Sequence, residues 1–120
     1  MKKFSEIEYV RPDMEAEREE VRAYTKALKE AKSYEELRGL FMEEKTREDA
    51  WATMAEVAQV RYTVDTRDSF YEGEVQFWNE TIPAIHLLIQ KAEKVILESP
   101  FIKEFAEEFG EFFCEEYGGW

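Results

Sequence analysis

Residues 61–78 read RYTVDTRDSFYEGEVQFW, and the way this run divides decides the fold. A helical pattern enters from the left and stops near Val64. Asp65 and Thr66 make a polar break, because short polar side chains offer the backbone an alternative to helical hydrogen bonds. A second helical pattern starts at Arg67, with Asp65 or Thr66 placed to cap its first turn. The run is a helix-to-helix corner, and no strand alternation of useful length appears on either side of it.

To the right, Tyr71, Val75, Trp78, Ile82, Ile85, Ile89, Ala92 and Ile96 recur at alternating spacings of four and three. Such a seam keeps facing one partner for roughly 39 Å at 1.5 Å per residue. Phe70, Phe77, Leu88 and Val95 widen the stripe, so this helix packs against more than one neighbour. Pro83 lies inside it, removes one backbone donor and crowds the carbonyl of Asn79; the phase survives, which predicts a kink near Pro83 rather than a break. Ser99 then caps and Pro100 opens a fourth helix.

To the left, Ser33-Tyr34-Glu35-Glu36 fits a capping box that opens the helix ending at the corner. Leu37, Leu40 and Phe41 give it apolar anchors, as do Trp51, Met54, Ala55, Ala58 and Tyr62 further on. Residues 43–49 between them lack apolar anchors, which predicts a bend or a locally solvated stretch. Before it, Met14, Val21, Tyr24 and Leu28 mark a first amphipathic helix with acids near its start, where the dipole favours them. The expected architecture is an antiparallel all-α bundle of three long helices, 13–31, 34–64 and 67–98, with a short helical segment at 100–117. It forms one domain over residues 1–120.

Composition agrees with this. The 120 residues suit one core, and only three prolines and five glycines are present, three of the glycines within the last eleven residues. So few breakers favour long helices over many strands. The formal net charge of −12 argues against nucleic-acid and anionic-membrane partners, both of which need clustered Lys and Arg. Cys114 stands alone and so makes no internal disulfide, there is no apolar run long enough to span a bilayer, and the N-terminus has no apolar leader core. A cytoplasmic location is expected.

No set of residues carries chemistry on its own. Zinc hydrolysis needs His-Glu-x-x-His, and a bundle di-iron site needs paired Glu-x-x-His; the chain has a single histidine, His86. Cys114 and His86 could in principle pair as nucleophile and base, but Cys114 sits among Phe112, Phe113 and Tyr117, and His86 between Ile85 and Leu87, as packed residues would. Asp65, Arg67 and Asp68 read as capping residues rather than an acid–base cluster. A ligand pocket at the Pro83 kink, beside Trp78 and His86, is a third possibility. No catalytic, cofactor-binding or metal residue is assigned. The aromatic run Phe101, Phe105, Phe109, Phe112, Phe113, Tyr117 and Trp120 either completes the core or forms an interface.

Four blocks carry a family resemblance: Phe4 to Asp13 (FSEIEYVRPD), Arg61 to Thr66 (RYTVDT), Phe70-Tyr71-Glu72, and Glu98-Ser99-Pro100-Phe101. In this order they resemble the N-terminal region of the oligoendopeptidase F family, M3-type zinc metallopeptidases similar to thimet oligopeptidase. The resemblance implies an all-helical region that forms part of the wall of a deep substrate channel in a cytoplasmic enzyme cleaving short peptides. The family's zinc ligands and general base lie in a His-Glu-x-x-His helix and a downstream Glu, and no position here matches them. The resemblance therefore implies no cofactor in this chain, zinc in full-length members, no activity alone, and the catalytic domain as partner. The rival expectation is a stand-alone helical interaction module that binds a partner, or itself as a homo-oligomer, through residues 101–120.

Overall fold

The structure, a computed structural model, describes residues 7–117, and the side chains of residues 7–110. Four helices follow one another: α1 (Met14–Glu30), α2 (Tyr34–Val64), α3 (Ser69–Leu97) and α4 (Ile102–Tyr117). No strand occurs among the described residues, and the all-α expectation holds.

Helices α1, α2 and α3 each start where a side chain satisfies orphan amides. The Asp13 carboxylate accepts from the amides of Glu15 and Ala16. Ser33 Oγ accepts from the Glu36 amide at 3.1 Å, while Glu36 Oε2 reaches back to the Lys32 amide at 3.2 Å. Two starts differ from the sequence reading. Helix α3 begins at Ser69, not Arg67, because Asp68 is the cap: its Oδ1 accepts from the amides of Phe70 and Tyr71. Asp65 instead ends α2, and its carboxylate accepts from the Arg67 amide at 3.0 Å, closing the corner as a local turn. Helix α4 begins after a turn in which Ser99 Oγ accepts from the Phe101 amide, so Pro100 precedes the helix. Helix α3 runs through Pro83 and α4 through Gly110 without interruption.

The three-residue link between α1 and α2 makes them antiparallel neighbours. Met14 at the start of α1 shares a cluster with Trp51, and Leu28 near its end shares one with Leu37. Helix α3 runs back along α2 and packs against both. The molecule is a rod of 52 × 27 × 27 Å, consistent with the 31 residues of α2 at about 1.5 Å each.

The core comes in two parts. One gathers Leu28, Leu37, Phe41, Ala92, Ile96 and Phe105, and so joins α4 to the other three helices. The other gathers Met14, Val21, Trp51, Trp78, Ile85 and Ile89. Each large side chain buried in this way is worth about 1.5–3 kcal/mol. Between the parts, α2 turns Glu44 inward, with only 3% of the residue exposed. The expectation of a solvated stretch at 43–49 fails here: Leu37, Phe41, Glu44, Glu48 and Trp51 keep the four-three rhythm, so the inward face continues through the charged residues. The seam of α3 has one gap, since Ile82 remains 45% exposed where α2 and α3 leave a groove.

Candidate functional site

The structure divides the sequence-selected residues sharply. Phe105 is fully buried, its ring 4.9 Å from Phe41 and 5.0 Å from Phe109. Phe101 and Phe109 are half-buried against the same cluster. Phe105 and Phe109 meet Phe41 at the α2–α4 junction. The side chains of Phe112, Phe113, Cys114 and Tyr117 lie outside the described residues, as does Trp120 altogether. His86 lines an apolar groove of about 160 Å³ with Trp51, Trp78, Ile82 and Glu48. Among the described residues no group of His, Cys, Asp and Glu converges as a metal site.

Two constellations stand out instead. The first is a clasp in which residues 7–11 cross the α2–α3 end of the rod. Tyr9 OH donates to Glu74 Oε1 at 2.6 Å and accepts from Trp78 Nε1 at 3.0 Å. Arg11 donates through Nε to Glu74 Oε1 at 3.0 Å and through a second nitrogen to Oε2. Its guanidinium also stacks 3.9 Å from the centre of the Phe77 ring. Arg61 donates to the Tyr71 hydroxyl at 2.9 Å and to the Ile7 carbonyl. Hydrogen bonds from Arg11 hold the Glu74 carboxyl below the usual carboxylate range, while burial pushes the Tyr9 hydroxyl up to about 12. An ionised, fully bonded Glu74 and a protonated Tyr9 are suited to holding a segment in place, not to moving protons. Tyr9, Arg11, Arg61 and Tyr71 come from three separate sequence blocks, which this clasp brings together in space.

The second constellation is a cleft of about 410 Å³ between α1 and α2. Ala23, Ala27 and Leu40 form apolar wall, and Glu20, Glu43, Glu44 and Arg47 supply charge. Glu44 Oε1 accepts from Arg47 at 2.5 Å, while its buried Oε2 has no hydrogen-bond donor among the described residues. Arg47 is shared, donating also to Glu20 at 3.0 Å and lying 4.0 Å from Glu17. Burial pushes the Glu44 carboxyl up to about 7, against the pull of Arg47. Burial also raises the Tyr24 hydroxyl, with the negative charge of Glu44 adding to it.

The sign of that shift gives a measurable consequence. The folded chain holds the Glu44 proton more tightly than the unfolded chain, so stability falls as pH rises from about 4.5 to about 7. The full penalty applies above that window. Glu44→Gln is expected to stabilise the chain at pH 8 by on the order of 2 kcal/mol and to change little at pH 5. Urea unfolding of both proteins at the two pH values checks it; an equal offset at both would show that Glu44 does not titrate in this window.

Sequence reasoning passed over Glu44 and Glu74. The signal for Glu44 was present, because it holds an inward position between Phe41 and Trp51. Glu74 stands three residues after Tyr71 and four before Trp78, on the edge of the seam.

Comparison with known proteins agrees with the geometry. The family model of the peptidase M3 N-terminal domain matches residues 4–117. No curated protein matches the chain. Among solved structures, PZ peptidase A with an inhibitor superposes with a TM-score of 0.85 at 28% identity, over 91% of this chain. The chain spans only 19% of that peptidase's length. On the match over residues 4–117, the chain belongs to the peptidase M3 N-terminal domain family.

Proposed function

We propose that the chain is the N-terminal helical domain of an oligoendopeptidase F-like M3 peptidase, acting as a non-catalytic wall of the channel that confines short peptides. The observation that carries this reading is the family match over residues 4–117. The structural likeness to PZ peptidase A, of which this chain spans a fifth, supports a role as one part of a larger enzyme. M3 peptidases are zinc enzymes, and the residues here do not suit that ion: the sequence has one histidine, and no ligating group converges among the described residues. Zinc and the general base belong to the catalytic domain, the partner in this reading, and no step of the reaction passes through residues of this chain.

The chain acts in this reading as one unit whose charge keeps it in solution, in the cytoplasm. No described helix is long and apolar enough to cross a membrane. The test is direct. Purified chain incubated with an internally quenched peptide and zinc is expected to give no turnover. Metal-dependent cleavage would overturn the reading, and so would a genomic reading frame that lacks a downstream His-Glu-x-x-His.

The second reading, an interaction module using Phe101, Phe109, Phe112, Phe113, Tyr117 and Trp120, finds its motivation in two half-buried rings, Phe101 and Phe109, at the end of the described stripe. Phe105 contributes to the core and is not available to a partner.

A further inference from the structure

The α1–α2 cleft has a composition that the wall role does not need. Its volume of about 410 Å³ falls within the ~300–1,000 Å³ range typical of small-molecule sites. Its apolar wall of Ala23, Ala27 and Leu40 leaves room beside small side chains, and three carboxylates, Glu20, Glu43 and Glu44, face a single guanidinium, Arg47. Arg47 is divided among Glu44, Glu20 and Glu17. The Glu44 side chain is 2% exposed, lines the cleft, and keeps one oxygen without a donor. A buried carboxylate oxygen without a donor is costly, and natural cores rarely retain one without a use. An organic cation with an apolar stem complements both the carboxylates and the Ala23, Ala27 and Leu40 wall.

We propose that the α1–α2 cleft binds an organic cation, an ammonium or guanidinium on an aliphatic stem. Glu44 accepts its N–H, Glu20 and Glu43 balance its charge at the rim, and Ala23, Ala27 and Leu40 hold the stem. The stem replaces water against apolar wall, and the new donor satisfies the Glu44 oxygen that lacks one. The inference does not depend on the peptidase reading. The charged and titratable groups around Glu44 are Glu17, Glu20 and Tyr24 on α1, Glu43, Lys45, Arg47 and Glu48 on α2, and Glu93 on α3.

The test follows amide shifts of Ala23 and Ala27 by NMR during titration with n-butylguanidinium, and separately with the blocked tripeptide acetyl-Ala-Arg-Ala-amide. Saturable shifts at both amides at pH 8 are expected. Tighter binding of the tripeptide would identify a polypeptide side chain as the source of the cation; equal or weaker binding would identify a free small molecule. Affinity is expected to fall about tenfold from pH 8 to pH 6 as Glu44 gains its proton, and at least tenfold at pH 8 in Glu44→Gln. Exposed Glu104→Gln is expected to bind like the parent. No saturable shift, a pH-independent affinity, or equal weakening in the Glu44 and Glu104 variants would overturn the proposal, the last by showing diffuse attraction to the −12 charge. Should Glu44→Gln fail to fold by circular dichroism, the double variant Glu20→Gln/Glu43→Gln decides: unchanged affinity at pH 8 overturns the proposal, and weakening sustains it.

Discussion

Phe105→Ala is expected to destabilise the chain by about 3–5 kcal/mol, the usual cost of deleting a buried aromatic ring. The ring is fully buried, meets Phe41 edge-on with an interplanar angle of 87°, and packs where α4 joins the other three helices. Its removal leaves a cavity lined by Leu28, Leu37, Phe41 and Ile96, residues on three different helices that cannot all collapse inward together. A loss of this size corresponds to a fall in melting temperature of roughly 10–20 °C for a domain of this length. Phe109→Ala, at a half-buried site in the same cluster, is expected to cost less than half as much. Urea unfolding followed by circular dichroism gives both values. A cost below about 1 kcal/mol for Phe105→Ala would mean that α4 is not part of the cooperative core.

Glu74→Ala is expected to cost about 3 kcal/mol, because it takes the acceptor from Tyr9 and Arg11 at once. The Glu74 side chain is 7% exposed and Arg11 48%, so Arg11 recovers water when the pair is broken, and the loss stays at the low end for a buried ion pair. Residues 7–11 lose their main anchor in this variant, and chymotrypsin is expected to cut after Tyr9 faster than in the parent. The pH dependence also separates this site from Glu44. The Glu74 carboxyl is held down, so the stability it contributes is present above about pH 4.5 and is lost as pH falls through the folded value. Glu44 acts in the opposite direction between about 4.5 and 7. Glu74→Ala is therefore expected to flatten the acid side of the stability profile, and Glu44→Gln the neutral side. An acid limb unchanged in Glu74→Ala would remove Glu74 as its source.

The helix count and the inward faces were legible in the sequence, because both follow from local rules. The four-three spacing from Tyr71 to Ile96 and the Ser33 capping box each depend on residues within one turn of one another; the first runs along α3, and the second sets the start of α2 at Tyr34. The displaced start of α3 has an equally local cause. Asp65, Thr66 and Asp68 can all cap a helix, and the choice fell to Asp68 once the Asp65 carboxylate closed the turn on Arg67. The resemblance of the four blocks was also visible in the sequence, and the family match extends it over residues 4–117.

What the sequence alone determined was the set of elements, since helix starts, seams and corners are written in contacts three and four residues apart. What only the tertiary structure decided was the fate of the charges. Glu44 and Glu74 look like any other acid in a chain with 28 of them. One becomes a buried carboxyl in a cleft and the other the anchor of a clasp to Tyr9, 65 residues away. An acid's solvation and its partners are set by what long-range packing places beside it, and a helical period does not encode that.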